Sequence, residues 1–142
     1  MAVSILIVDD EEGIRNSLSA YLRLEGYDVV TAGGGREALE TLRGKKINII
    51  LMDINLPDMD GLETLQAVKA VDFSIQVVMM TAYSTFDKTM QSLEYGATDY
   101  ILKPFESLED ILKLVQISEE RLERWKRNMS ASIVRQRKSG DD

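Results

Sequence analysis

Two apolar runs in the sequence stop on carboxylates. Ser4-Ile5-Leu6-Ile7-Val8 runs into Asp9 and Asp10, and Ile49-Ile50-Leu51-Met52 runs into Asp53. Two others stop on groups that complement acids: Gln76–Met80 is followed by Thr81, and Thr98–Leu102 by Lys103. If these ends converge, three carboxylates meet. Two like charges about 4 Å apart repel by roughly 4 kcal/mol at an effective dielectric of about 20, so the cluster requires a cation or a shared proton. The chain has no histidine and no cysteine. That excludes disulfides, thiolate zinc sites, thiol nucleophiles and an imidazole base. Oxygen ligands alone favour a hard ion, Mg²⁺ first and Mn²⁺ second. A carboxylate beside such an ion, an ammonium and a hydroxyl is equipped to attack phosphorus and carry an acyl phosphate.

Something must bring those ends together. Helical apolar stripes lie between the runs: Ile14, Leu18, Tyr21, Leu22 and Leu24; Ala38, Leu39 and Leu42; Leu62, Leu65 and Val68; Met90, Leu93 and Ala97. Gly26, Gly44 and Gly96 fall where helices should end. The runs Ser4–Val8, Asp28–Thr31, Ile47–Met52, Gln76–Met80 and Thr98–Leu102 then read as five strands alternating with five helices. This predicts a parallel sheet covered on both faces. Asp28–Thr31 is the most mixed and suits an edge. Ligands of such sheets bind beyond the carboxyl ends of the strands, and in the order 2-1-3-4-5 the first and third strands are neighbours at the switch point.

The chain has 142 residues, the size of one domain. Its net charge of −7 is unevenly spread: residues 1–120 hold ten bases and 21 acids, whereas 121–138 hold seven bases and one acid, Glu123. An acidic body does not suggest direct nucleic-acid binding. The fifth helix is expected to start at Ser107 as N-cap, with a stripe of Leu108, Ile111, Leu112, Val115, Leu122 and Trp125 continuing toward Met129. That is too long for one side of a small domain. Glu119 onward therefore reads as an extension leaving the core, with residues 135–142 frayed. The expected division is 1–122 for the domain and 123–142 for extension and tail. No run approaches the ~20 apolar residues of a membrane span, and no secretory signal opens the chain, so a cytoplasmic protein is expected.

The segments LIVDDEE, ILMDINLPDMDG, VVMMTAYS and YILKPF, in this order and spacing, resemble the receiver domain of bacterial two-component response regulators. The resemblance covers about Val3 to Leu122. It implies a flavodoxin-like (βα)₅ fold, a doubly wound five-stranded parallel sheet of order 2-1-3-4-5, here with an extended C-terminal helix. It implies that Asp53 is the phosphoacceptor, and that Asp9, Asp10, Asp53 and the Asn55 backbone carbonyl hold Mg²⁺. It makes Thr81, Ala82 and Lys103 the phosphoryl contacts, and Thr81 with Tyr100 the switch. Pro104 follows a peptide bond that is usually cis in this family, and Asn55 and Tyr83 stand at positions that tune the phosphoryl lifetime. The implied partner is a sensor histidine kinase or a phosphotransfer protein, and a homodimer is compatible through the fourth helix, fifth strand and fifth helix or through the extended helix. The resemblance implies no enzyme beyond the domain's own phosphorylation and dephosphorylation.

Each residue also has a plainer reading. Asp9 or Asp10 alone serves as a helix cap. Asp58 and Asp60, before Gly61, read as a turn that caps the next helix. Met79 and Met80 are core, and Gly33-Gly34-Gly35 is a pliant helix start rather than a phosphate loop. A Mg²⁺-dependent aspartyl phosphatase would carry D-x-D after the first strand, whereas this chain has adjacent acids there. A flavin carrier needs a Ser- and Thr-rich loop where this chain has DDEEG. A receiver reduced to a binding module would have lost part of the acid, Thr and Lys set.

Overall fold

The computed structural model describes the backbone of residues 3–140, and the side chains of that span other than Tyr83, Phe86 and 131–140. The elements alternate: β1 Ser4–Val8, α1 Glu12–Leu24, β2 Asp28–Ala32, α2 Gly35–Gly44, β3 Ile49–Asp53, α3 Gly61–Val71, β4 Gln76–Thr81, a 3₁₀ turn Tyr83–Thr85, α4 Phe86–Glu94, β5 Asp99–Leu102 and α5 Leu108–Gly140. All five strands are parallel, in the order β2-β1-β3-β4-β5.

Strand side chains alternate between two cores, as a period of two requires. Leu6, Val8, Ile50, Met52, Val77 and Met79 face one side, with Ala38, Leu65, Val68 and Ala97. Ile5, Ile7, Ile49, Leu51, Val78 and Met80 face the other, with Leu18, Leu22, Ile111 and Val115. β1, β3 and β4 are buried almost throughout and β2 is mixed, in keeping with its edge position. Two expected core positions fall outside: Leu24 is 86% exposed and Met90 45%. Among the described side chains of α4 the buried ones are Thr89 and Ser92, hydroxyls that a search for apolar spacing passes over.

Ser107 caps α5, its Oγ accepting the Glu109 N–H at 3.1 Å. Leu122 is buried against the body, and Trp125 and Met129 are exposed. The helix continues to Gly140, so residues 135–140, expected to fray, are helical; the last two residues of that tail lie outside the described residues. The Tyr27 hydroxyl donates to Glu119 Oε2 at 2.9 Å, fastening the turn before β2 to α5. Burial first, then this hydrogen bond, pushes the Tyr27 phenol up to about 12. The protonated phenol is the form that folding favours. Its contribution is therefore complete below the ordinary value near 10 and disappears as pH rises through about 12. In a spectrophotometric titration Tyr27 should ionise late, and Tyr27→Phe should remove that late step.

The loop after β3 is tied to α2. Asp58 Oδ1 and Oδ2 accept the N–H groups of Gly35 and Arg36 at 3.0 and 3.1 Å. Asp58 thus caps α2 from another loop, rather than the helix that follows it. Asp60 is the cap of α3, accepting the Leu62 N–H at 2.8 Å. The glycine run has its reason here, since a Cβ on Gly34 would stand 2.5 Å from Asp58 Oδ1. Hydrogen bonds from Arg36 and Gly35 hold the Asp58 carboxyl below its ordinary value. The ionised form is the one folding favours, so this cap fails as pH falls through that lowered value. Asp58→Ala should lower the melting temperature by roughly 2–4 °C, as loss of a helix cap does, and should speed amide exchange at Gly35 and Arg36.

Candidate functional site

Register builds the site. Val8 pairs with Met52 across β1 and β3, so the next residues, Asp9 and Asp53, stand side by side at the carboxyl edge. Asp9 prolongs the ladder, its N–H donating to the Ala32 carbonyl at 3.1 Å. Thr81 pairs with Leu102 across β4 and β5, and the Lys103 N–H reaches the Thr81 carbonyl at 2.7 Å. The Lys103–Pro104 peptide bond is cis.

Asp9 is fully buried, Asp53 nearly so, and Asp10 exposed. One carboxylate oxygen from each lies within 4.8 Å of the others. The Lys103 ammonium bridges two of them, donating to Asp9 Oδ2 at 2.6 Å and to Asp53 Oδ2 at 3.0 Å. Backbone donors occupy the opposite oxygens: the Glu11 N–H reaches Asp9 Oδ1 at 2.9 Å, and the Asn55 N–H reaches Asp53 Oδ1 at 3.0 Å. Both carboxylate planes are therefore held from two sides. Burial pushes the Lys103 ammonium down, but hydrogen bonds to Asp9 and Asp53 and their charges outweigh it, and its value ends above the ordinary one. A raised lysine contributes below its unfolded value and stops contributing as pH rises through the folded one. Lys103 therefore stays cationic at neutral pH.

One ammonium against three carboxylates leaves two negative charges at the strand ends. The donor set is all oxygen and converges within a few ångströms, which fits a divalent hard ion. Beside Asp10 lies an open depression of about 540 Å³, lined also by Asn55, Asp58 and Lys88.

The remaining expected site residues are placed as follows. Thr81 is fully buried at the end of β4, with Ala82 beyond it. Its hydroxyl turns toward α4, bonding Thr85 Oγ1 at 2.6 Å and accepting from Thr89 Oγ1 at 2.8 Å. Tyr100 is half-buried on β5 against the core that includes Met79 and Leu93. The side chain of Tyr83 lies outside the described residues. The sequence reading missed Arg15, whose Nη1 donates to the Asp9 carbonyl at 2.6 Å. It also missed Thr85 and Thr89, although with Thr81 they recur every fourth residue.

The family pattern described as "response regulator receiver domain" matches residues 5–116. Among curated proteins, Transcriptional regulatory protein ZraR of Klebsiella oxytoca is 44% identical over 104 residues, which are 73% of this chain and 24% of that one. Sporulation initiation phosphotransferase F of Bacillus subtilis is 40% identical over 106 residues, 75% of this chain and 86% of that one. The chain thus spans about a quarter of the transcriptional regulator. Among solved structures, a CheY-like response regulator receiver domain protein from Methanospirillum hungatei superposes with a TM-score of 0.83 at 33% identity, covering 87% of this chain and 98% of that one. Chemotaxis response regulator CheY4 of Vibrio cholerae gives 0.77 at 33% identity, covering 83% and 99%.

Proposed function

The chain belongs to the response regulator receiver domain family, and on that premise we propose that it accepts a phosphoryl group on Asp53 from a phosphohistidine of a partner kinase or phosphotransfer protein. The observation that carries this is the Lys103 ammonium held between Asp9 and Asp53, with Asp10 alongside. Asp53 attacks phosphorus; the new P–O bond forms as the P–N bond breaks, and the freed imidazole takes up a proton. Lys103 and the Thr81 hydroxyl stabilise charge on the phosphoryl oxygens, with the backbone beside Ala82 a further contact. Asp9, Asp10, Asp53 and the Asn55 carbonyl would hold Mg²⁺, or Mn²⁺ in its place; when bound, the ion supplies positive charge that neither Lys103 nor the backbone can match. The kinship with a relative named as a phosphotransferase supports the same chemistry.

The acyl phosphate carries nearly two negative charges. It draws Thr81 toward Asp53, the segment after β4 follows, and Tyr100 turns into the space vacated. The face formed by α4, β5 and α5 thereby changes, a bias on two existing states rather than a new fold. Asn55 and Tyr83 set the lifetime of the phosphate. Residues 1–122 form the receiver unit and 123–142 an extension that carries the signal outward or pairs with a second copy. Among the described residues no helix is long and apolar enough to cross a membrane, and a cytoplasmic location follows from the proposed partners.

Acetyl phosphate with Mg²⁺ should add about 80 daltons, the mass of one phosphoryl group, in an acid-labile and hydroxylamine-labile linkage of the acyl phosphate type. Chelation by EDTA should suppress the adduct, and Asp53→Asn should abolish it. An undiminished adduct in that variant would overturn the assignment.

A further inference from the structure

Thr81 is drawn toward the phosphoryl group in the reading above, yet its hydroxyl is already engaged elsewhere. Thr89 Oγ1 donates to it at 2.8 Å, and Thr85 Oγ1 stands 2.6 Å away. Thr81 Oγ1 also lies 3.1 Å from the Ala82 carbonyl, which Thr85 Oγ1 approaches at 2.9 Å. Ser92 Oγ extends the chain, donating to the Thr89 carbonyl at 2.6 Å. Thr81, Thr89 and Ser92 are all fully buried.

Part of this is ordinary helix behaviour. Threonine and serine hydroxyls in helices bond back to carbonyls a turn earlier, and Thr89 also reaches the Thr85 carbonyl at 3.0 Å. Back-bonding does not explain the contact from Thr89 to Thr81, which leaves the helix and crosses to the sheet. Three hydroxyls share three protons here. With Thr89 donating inward, Thr81 has its own proton directed at the Ala82 carbonyl or at Thr85, and its oxygen faces α4. Water does not compete at a buried position, so these bonds keep their strength.

We propose that Thr85 and Thr89 are positioning residues that latch the Thr81 hydroxyl to α4 in the unphosphorylated protein. The inference rests on the phosphoacceptor reading and adds to it a specific opposing force. A phosphoryl group on Asp53 recruits Thr81 only by breaking the contact with Thr89. The Thr89 bond to the Thr85 carbonyl is present before the switch and persists after it. Removing the Thr89 hydroxyl therefore costs the resting state one contact, that with Thr81, more than it costs the active state.

Beryllofluoride titration in saturating Mg²⁺, followed by amide NMR, tests the latch on the wild type, Thr89→Val, Thr89→Ser and Thr85→Val; urea denaturation without beryllofluoride accompanies it. Valine keeps the shape of threonine and lacks its hydroxyl. Thr89→Val should be less stable than wild type and yet bind beryllofluoride roughly three- to tenfold more tightly, the shift that one net hydrogen bond supports. Thr85→Val should move the same way, and Thr89→Ser should match the wild type. A purely structural threonine would lower stability without tightening binding. Equal or weaker binding by Thr89→Val, while the wild type binds, overturns the latch alone. A wild type that does not bind beryllofluoride overturns the phosphoacceptor reading, and the latch with it.

Discussion

Lys103→Met should destabilise the protein by roughly 3–5 kcal/mol when divalent ions are absent, the range observed when one partner of a buried ion pair is removed. Methionine keeps most of the lysine's length and volume, so the loss is electrostatic rather than steric. The Asp9 carboxylate is fully buried and would face Asp53 and Asp10 with no cation among them. Mg²⁺ should restore much of the loss. A ligand present at 100 times its dissociation constant stabilises by about 2.7 kcal/mol through mass action, and the variant's greater charge excess should make its gain larger than that of the wild type. Urea denaturation of both proteins, each in EDTA and in Mg²⁺, measures all four stabilities. A loss below about 1 kcal/mol in EDTA, or an equal Mg²⁺ gain in the two proteins, would show that the three carboxylates do not share one charge balance.

Gly61→Ala should be the most damaging single-methyl change near the site. A Cβ there would stand 2.5 Å from the Ile54 carbonyl oxygen and 2.7 Å from Ile54 Cα. Both are backbone atoms, so no side chain can swing aside. The close approach is itself a bond, the Gly61 N–H donating to that carbonyl at 3.1 Å. It closes the loop that carries Asn55 and Asp58 against the first turn of α3. Overpacking of this kind costs about 3 kcal/mol, near 10 °C in melting temperature for a domain of this size. Because Ile54 follows Asp53 directly, the shift should also turn the carboxylate. Phosphorylation by acetyl phosphate should therefore fall even at temperatures where the variant is folded. Gly44→Ala is the control, since nothing lies within 4 Å of a Cβ at that position.

The convergence of the site's polar side chains was legible in the sequence because each of them ends a strand. Apolar runs of five or six residues announce buried strands, and the residue after each run must leave the sheet at its carboxyl edge. Asp9, Asp53, Thr81 and Lys103 were found that way, and the strand order followed from the resemblance. What failed was subtler. Asp58 was assigned to the helix next in sequence, but its acceptors are satisfied by α2, 22 and 23 residues away. Met90 was placed in the core by its spacing, whereas the face that α4 turns inward carries Thr89 and Ser92.

The order of residues thus determined on its own the alternation of strands and helices, the acidic ends and the absence of any imidazole or thiol chemistry. These depend on local composition and on a period of two or 3.6, which short windows of sequence contain. Tertiary structure decided which acids share the lysine, which helix each carboxylate caps, and where the hydroxyl of Thr81 points. Those outcomes depend on distances between atoms up to 94 residues apart, as in the bond from Lys103 to Asp9. A carboxylate accepts from whichever donor the packed backbone brings within about 3 Å, and only the closed fold makes that choice.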